Sequence, residues 1–297
     1  MKKLTIIYAL LISVVSISCL VGVVYAEARI NAFVSILPQA YFLERVGGQH
    51  VNVEALVGKG QSPATYEPSP QQMARLSSAR VYFAIGVPFE KNLLKKIRQS
   101  QKKLVIVETQ KGVVYRYLEG HRHEDDAKGG GERHQGIPDP HIWMDPSLVK
   151  VQAANIRDAL CELDPANAKD YSRNLQVFVS DLDRADKRIR AALEPVKGKN
   201  MYVFHPAFGY FADRYGLRQV PIEIEGKEPG GKQLSGIIDK AKKDGVRVIF
   251  VQPQFSRKSA ESIARSIGGV VVPIDPLARD YLTNLNRIAL SVEKGLR

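Results

Sequence analysis

Four of the chain's six histidines, His121, His123, His134 and His141, fall within 21 residues, with Glu124, Asp125 and Asp126 among them. Imidazole with carboxylate suits zinc and neighbouring divalent cations. For His121, His123 and His134 two readings stand level: metal capture, or a polar loop that happens to hold histidines. His50, at a turn into a strand, reads as a surface residue. His141 and His205 stand out by position. His205 directly follows the apolar run Met201-Tyr-Val-Phe and precedes Pro206. That places it at the carboxyl end of a strand, where open α/β sheets put their ligand sites. His141 lies in Asp139-Pro-His-Ile-Trp-Met-Asp-Pro146, a segment stiffened by two prolines and carrying the only tryptophan. Asp280 follows another strand through Asp275-Pro-Leu-Ala-Arg. Converging in a cleft, the three would make a mixed nitrogen and oxygen metal site. By position alone, histidines at strand ends also serve as purely structural residues.

The elements that must position these groups are written in the alternation of short β-branched runs with helical patterns. Strands are expected at 30–36, 51–57, 81–85, 104–107, 201–204, 219–224, 246–251 and 270–274. Helices are expected at 70–78, 90–99, 234–244, 259–267 and 281–294. Such alternation builds parallel sheets covered on both faces. Two sets of four strands are separated by about 90 residues without a strand signal. The second part of that gap reads as one long helix, from Asp164-Pro165 as N-cap and first turn to Pro195 and Gly198 as stops. Leu175, Phe178, Val179, Leu182, Ile189 and Leu193 recur along it at helical spacing. A helix of that length between two α/β halves acts as a strut, and the two lobes then face each other across a cleft. The stretch from about 110 to 140 has many charges, Gly129-Gly130-Gly131 and no apolar period, which marks a functional or disordered loop.

The chain has 297 residues, 44% hydrophobic and 25% charged, which excludes a collagenous, coiled-coil or wholly disordered protein. Lys2 and Lys3 precede an uncharged stretch from Leu4 to Ala26, and Val24-Tyr25-Ala26 offers a signal-peptidase site. The expectation is an export signal over 1–26, with a retained anchor as the alternative, since 23 uncharged residues can span roughly 30 Å of bilayer. Cleavage there leaves Cys161 as the only mature cysteine and no internal disulfide. Net charge is +12, or +10 without Lys2 and Lys3. The cations are interleaved with acids, and no aromatic-plus-arginine platform accompanies them, so the charge reads as a solvated basic surface rather than a nucleic-acid footprint.

Four segments taken in order carry a resemblance. Gly60-Gln-Ser-Pro-Ala-Thr-Tyr-Glu-Pro-Ser-Pro70, the 139–146 segment, Val203-Phe-His-Pro-Ala-Phe-Gly-Tyr-Phe211 and Asp275-Pro-Leu-Ala-Arg-Asp-Tyr281 resemble the zinc/manganese-binding extracytoplasmic solute-binding proteins of ABC importers. Glu223-Ile-Glu-Gly-Lys-Glu-Pro229 and Val251-Gln-Pro-Gln-Phe-Ser256 add to it. The resemblance implies an α/β fold of two lobes with parallel sheets joined by one long linking helix, a metal in the inter-lobe cleft, and delivery to a membrane permease. The implied division is a leader at 1–26, a first lobe at 27–163 with a His-rich loop at about 119–137, the linking helix at 164–195 and a second lobe at 196–297. It implies a monomer in the periplasm or on the outer face of the cytoplasmic membrane, with no enzymatic activity and no nucleic-acid partner.

Carried over residue by residue, the implied metal ligands are His141, His205 and Asp280. The family's first ligand, a histidine, falls on Ala64, which ligates nothing. Water, Glu67 or a histidine among His121, His123 and His134 is then left to take the fourth position; Glu67 also reads as the acidic start of the next helix. Histidine at 205 favours Zn2+, with Mn2+ as the alternative, because nitrogen ligands suit zinc and oxygen ligands suit manganese. A weakened site would fit a metal chaperone, sensor or adhesin of the same fold. Three ligands with an open position is also the pattern of catalytic zinc, but no His-Glu-x-x-His motif or general base accompanies it.

Overall fold

The computed structural model describes residues 29–118, 136–223 and 229–297. Within them the chain builds two four-stranded, all-parallel sheets of the same winding. The first holds β1 (Ile30–Val34), β2 (Val51–Ala55), β3 (Val81–Ala84) and β4 (Val105–Glu108) in the order β2-β1-β3-β4. The second holds β5 (Asn200–Val203), β6 (Arg218–Pro221), β7 (Val248–Val251) and β8 (Val270–Pro273) in the order β6-β5-β7-β8. All eight strands fall where the β-branched runs place them. The helices are α1 (Leu37–Gly47), α2 (Pro70–Ser77), α3 (Glu90–Ser100), α4 (Pro146–Leu163), α5 (Ala168–Leu193), α6 (Gly209–Tyr215), α7 (Gly231–Lys243), α8 (Arg257–Ser266) and α9 (Tyr281–Leu296). Among the described residues no helix is long and apolar enough to cross a membrane.

The linking helix is α5, 26 residues or about 39 Å at 1.5 Å per residue. It begins three residues later than the Asp164-Pro165 signal implies. Residues 165–167 form a 3-10 turn, and the Asp164 carboxylate accepts from the Tyr171 hydroxyl at 2.6 Å and from Asn167 Nδ2 at 2.8 Å. Tyr171, Phe178, Leu182, Ala185, Ile189 and Leu193 form its buried stripe. A second 3-10 turn at Glu194–Val196 ends it, and Gly198 turns the chain at φ +81°, a left-handed conformation that favours glycine.

This helix is no bare strut. It packs against α1, α4 and α9. The C-terminal α9 crosses back to the first lobe, where Tyr281 meets Phe42 of α1 edge-on at 4.8 Å between centroids. Side chains of the second sheet alternate between two cores, as period-2 strands must. Met201, Val203, Val248 and Phe250 join the core that runs through α5, α9 and the first lobe. Tyr202, Phe204, Ile249 and Val251 face α8 in a separate cluster. The two lobes therefore share one continuous apolar interior. Each fully buried aromatic in it contributes about 1.5–3 kcal/mol, so lobe separation is opposed by packing along the whole seam.

Candidate metal centre

His205 sits two residues past the end of β5, between β5 and β7, where the connections of the second sheet leave in opposite directions. That crevice is the usual ligand position of a doubly wound sheet. Gln252, one residue past β7 and buried, clamps the His205 backbone on both sides. His205 N donates to Gln252 Oε1 at 3.1 Å, and Gln252 Nε2 donates to the His205 carbonyl at 2.7 Å. The ring is flanked by Phe255, stacked at 4.7 Å and 20°. Its Nδ1 lies 2.5 Å from Oε1 of the buried Glu223.

His141 opens a 3-10 turn, Ile142–Met144, that runs into α4. Asp139, wholly buried, takes hydrogen bonds from His141 N at 3.0 Å and from Nδ1 at 2.7 Å. The two imidazoles meet across the seam, with Nε2 of His141 3.3 Å from Nε2 of His205.

Each imidazole thus has a carboxylate on Nδ1, which assigns the proton to Nδ1 and leaves a lone pair on Nε2. With both protons so assigned, the two Nε2 lone pairs face and repel each other at this distance, and a cation between them turns that repulsion into attraction. With zinc–nitrogen bonds of roughly 2.0–2.1 Å, an N···N separation of 3.3 Å closes an N–Zn–N angle of about 107°, close to tetrahedral. Burial pushes the His141 imidazole below its ordinary range despite Asp139, so the ring is neutral and able to ligate at neutral pH. Burial works to raise Asp139, but hydrogen bonds from His141 and Arg116 outweigh it and hold the carboxyl below its ordinary value. It remains an anion and fixes the tautomer.

Asp280 precedes the first residue of α9 and is exposed; its carbonyl accepts from Asn284 N at 2.9 Å, and its side chain makes no capping hydrogen bond to the helix end. Its loop is stitched to the His141 turn. Trp143 Nε1 donates to the Pro276 carbonyl at 2.8 Å, and the Tyr281 hydroxyl donates to the Trp143 carbonyl at 2.7 Å. Among the described residues, no three His, Cys, Asp or Glu side chains already form a metal-holding group. The structure brings His141 and His205 together and leaves Asp280 on the adjoining loop.

Ala64 and Glu67 are exposed on the loop between β2 and α2. Glu67 is not the acidic start of that helix. The helix opens at Pro70 under a capping box of Ser69 and Gln72, with no acid in its first turn. His50 is more than a surface residue: its Nε2 lies 3.0 Å from Asp170 Oδ2 and its ring meets Tyr171 edge-on, tying the first lobe to α5. His121, His123 and His134 lie outside the described residues. Reading the sequence for ligands alone missed the groups that aim them: Asp139, Glu223, Gln252 and Phe255. Asp139 had a local signal, an acid two residues before a histidine with proline between. Glu223 had only its place in the family-like stretch 223–229 and no local signal for its role, because its partner is 18 residues away.

Two lobes of parallel sheet, a long helix joining them and a two-imidazole site at the seam define a two-lobed solute-binding protein. The model of the family described as zinc-uptake complex component A, periplasmic (ZnuA), matches residues 33–295. The chain belongs to that family. It is similar to the high-affinity zinc uptake system protein ZnuA of Yersinia pestis, 30% identical over 262 residues, covering 82% of this chain and 81% of that protein. It is also similar to the zinc-binding lipoprotein AdcA of Streptococcus pneumoniae, at 27% identity over all of this chain, which spans 60% of that protein's length. A crystal structure of a ZnuA deletion mutant with zinc bound superposes with a TM-score of 0.82 at 39% identity, over 90% of this chain and 98% of that one. The family is one of uptake components, and the catalytic-zinc reading is set aside with it.

Proposed function

We propose that this protein is the extracytoplasmic metal-capturing component of an ABC importer, that its cargo is Zn2+, and that it hands the ion to a membrane permease. The observation that carries this reading is the pair of Nε2 atoms 3.3 Å apart, each imidazole backed by a buried carboxylate. A nitrogen-rich pair favours zinc over manganese. Asp280 is the third ligand in this reading, brought in from its exposed place at the head of α9 once a cation attracts it. The export signal over 1–26, the first lobe to 163, the linking segment 164–195 and the second lobe from 196 belong to the same reading, as do a location in the periplasm or on the outer face of the cytoplasmic membrane and a monomeric state.

The test is a zinc titration of the purified chain, read by intrinsic fluorescence. Trp143, the only tryptophan, stands edge-on to His141 at 5.2 Å, so emission should change up to one equivalent and then level off. Asp280→Ala should weaken that event by at least tenfold. A flat titration, or one unaffected by Asp280→Ala, counts against the proposed ligand set.

Ala64 supports a second reading, a protein of this fold whose site is weaker than a full importer site. Its methyl group stands where the family places an imidazole. Ala64→His should then tighten zinc binding by tenfold or more in a competition assay. Unchanged affinity would mean that another group already fills the fourth position, and would remove the weakened-site reading.

A further inference from the structure

The Asp139 carboxylate that orients His141 is itself held by an arginine reaching both lobes. Arg116 lies in the first lobe beyond β4, with its backbone paired to Asp139: Asp139 N donates to the Arg116 carbonyl at 2.9 Å. Its Nη1 donates to Asp139 Oδ2 at 2.8 Å, and its Nε donates to Asp213 Oδ2, on α6 of the second lobe, at 2.8 Å. Tyr210 of the same helix completes the joint. Arg116 N donates to the Tyr210 hydroxyl oxygen at 3.1 Å, and that hydroxyl donates to the Asp139 carbonyl at 3.0 Å. Asp139 is wholly buried and the Arg116 side chain is 16% exposed.

Gly209, at the start of α6, shows that this joint constrains the fold. A methyl group there would stand 1.7 Å from Arg116 Nη1 and 2.9 Å from Asp139 Oδ2. With glycine at 209 the guanidinium lies against the start of α6 on its way to Asp139, and a methyl there would make it shift. The segment that supplies Gly209, Tyr210 and Asp213 also begins at His205, four residues upstream. The contacts therefore close into a ring: His205 to α6, α6 to Arg116, Arg116 to Asp139, Asp139 to His141, and His141 back to His205. A planar guanidinium can serve two carboxylates at once in fixed geometry, which a lysine ammonium does far less well.

We propose that Arg116 is an inter-lobe positioning residue for the metal site, setting the aim of the His141 imidazole at His205 through Asp139 and registering it against α6. The proposal rests on His141 and His205 holding a metal. It adds that their mutual placement depends on a residue that touches neither.

The experiment compares the full chain with Arg116→Ala, Gly209→Ala and the double variant. Zinc affinity is read by competition with a chromophoric chelator, and ligand geometry by the d–d absorption of bound Co2+. Each single variant should lose roughly 10- to 100-fold in affinity, the usual cost of removing a partner behind a ligand, and should shift the cobalt bands. The double variant should lose far less than the product of the two single losses, because the Gly209 methyl then has no guanidinium to displace and meets only Asp139 Oδ2. Arg116→Lys should fall between. Wild-type binding with both single variants within threefold of it and unchanged cobalt spectra overturns this proposal alone. Fully multiplicative losses in the double variant overturn it as well. A wild-type chain that binds no zinc overturns the function reading, and this proposal with it. If near-UV circular dichroism shows Arg116→Ala unfolded, Asp213→Ala decides: it removes only the exposed end of the joint, and several-fold weaker binding supports the inter-lobe arm while no change overturns it.

Discussion

Replacing His205 with alanine is expected to reduce zinc affinity by roughly 100- to 1000-fold. Structural zinc sites gain about 10–16 kcal/mol over four positions, hence about 2.5–4 kcal/mol per ligand, and each 1.4 kcal/mol is tenfold. The loss should be local. Gln252 grips the His205 backbone rather than its ring, so the loop past β5 stays in place when the side chain is gone. Two comparisons separate ligation from support. Glu223→Gln keeps the shape beside the ring but weakens the acceptor on Nδ1, and should lose only about 10- to 100-fold. Zinc at about 100 times its Kd should stabilise the wild type by about 2.7 kcal/mol, visible as a rise in Tm that His205→Ala lacks. An alanine variant that binds zinc within threefold of wild type would mean that the facing imidazoles are a packing pair rather than a ligand pair.

Trp143→Ala should be the most damaging single change to stability. The indole is fully buried between His141 and the 275–280 loop, and large aromatic-to-alanine changes in cores cost about 3–5 kcal/mol. Here the Pro276 carbonyl also loses the donor that satisfies it. Against a typical domain stability of about 5–15 kcal/mol, such a loss removes a large share of what holds the chain folded at 25 °C. Trp143→Phe keeps most of the packing and gives up the hydrogen bond, so it should cost about 1–3 kcal/mol. Urea denaturation followed by far-UV circular dichroism measures both. The variants should also weaken zinc binding, because the loop that carries Asp280 is stitched to the first lobe through this indole. Equal stability for Trp143→Ala and wild type would show that the loop is held by other contacts.

Element by element, what could be read before folding depended on how local the cause was. The strands announced themselves because Val81-Tyr-Phe-Ala and Val248-Ile-Phe-Val are short apolar runs between turns, and both lie buried in mid-sheet. α5 was legible from its apolar period, although its first turn slipped from Pro165 to Ala168. α1 and α4 were not expected. In α4 the start signal was present, since Asp145 accepts from Ser147 N at 2.7 Å with proline following. In α1 the buried face carries Pro38, Gln39 and Gly47 among its apolar residues, which blurs the period. Glu67 was misplaced because the helix after it is capped by Ser69, a choice made within four residues of sequence.

The amino-acid order by itself determined the strand–helix alternation, the long joining helix, the histidines at a strand end and between prolines, and the alanine at position 64. These follow from period, turn chemistry and residue type, all local properties. Tertiary structure alone decided that Nε2 atoms 64 residues apart in sequence come within 3.3 Å, that Glu223 and Asp139 stand behind them, and that one guanidinium ties both lobes to that pair. Those facts depend on how two sheets and α5 pack into one shared interior, and packing is fixed by the fit of many side chains distant in sequence rather than by any short run of them.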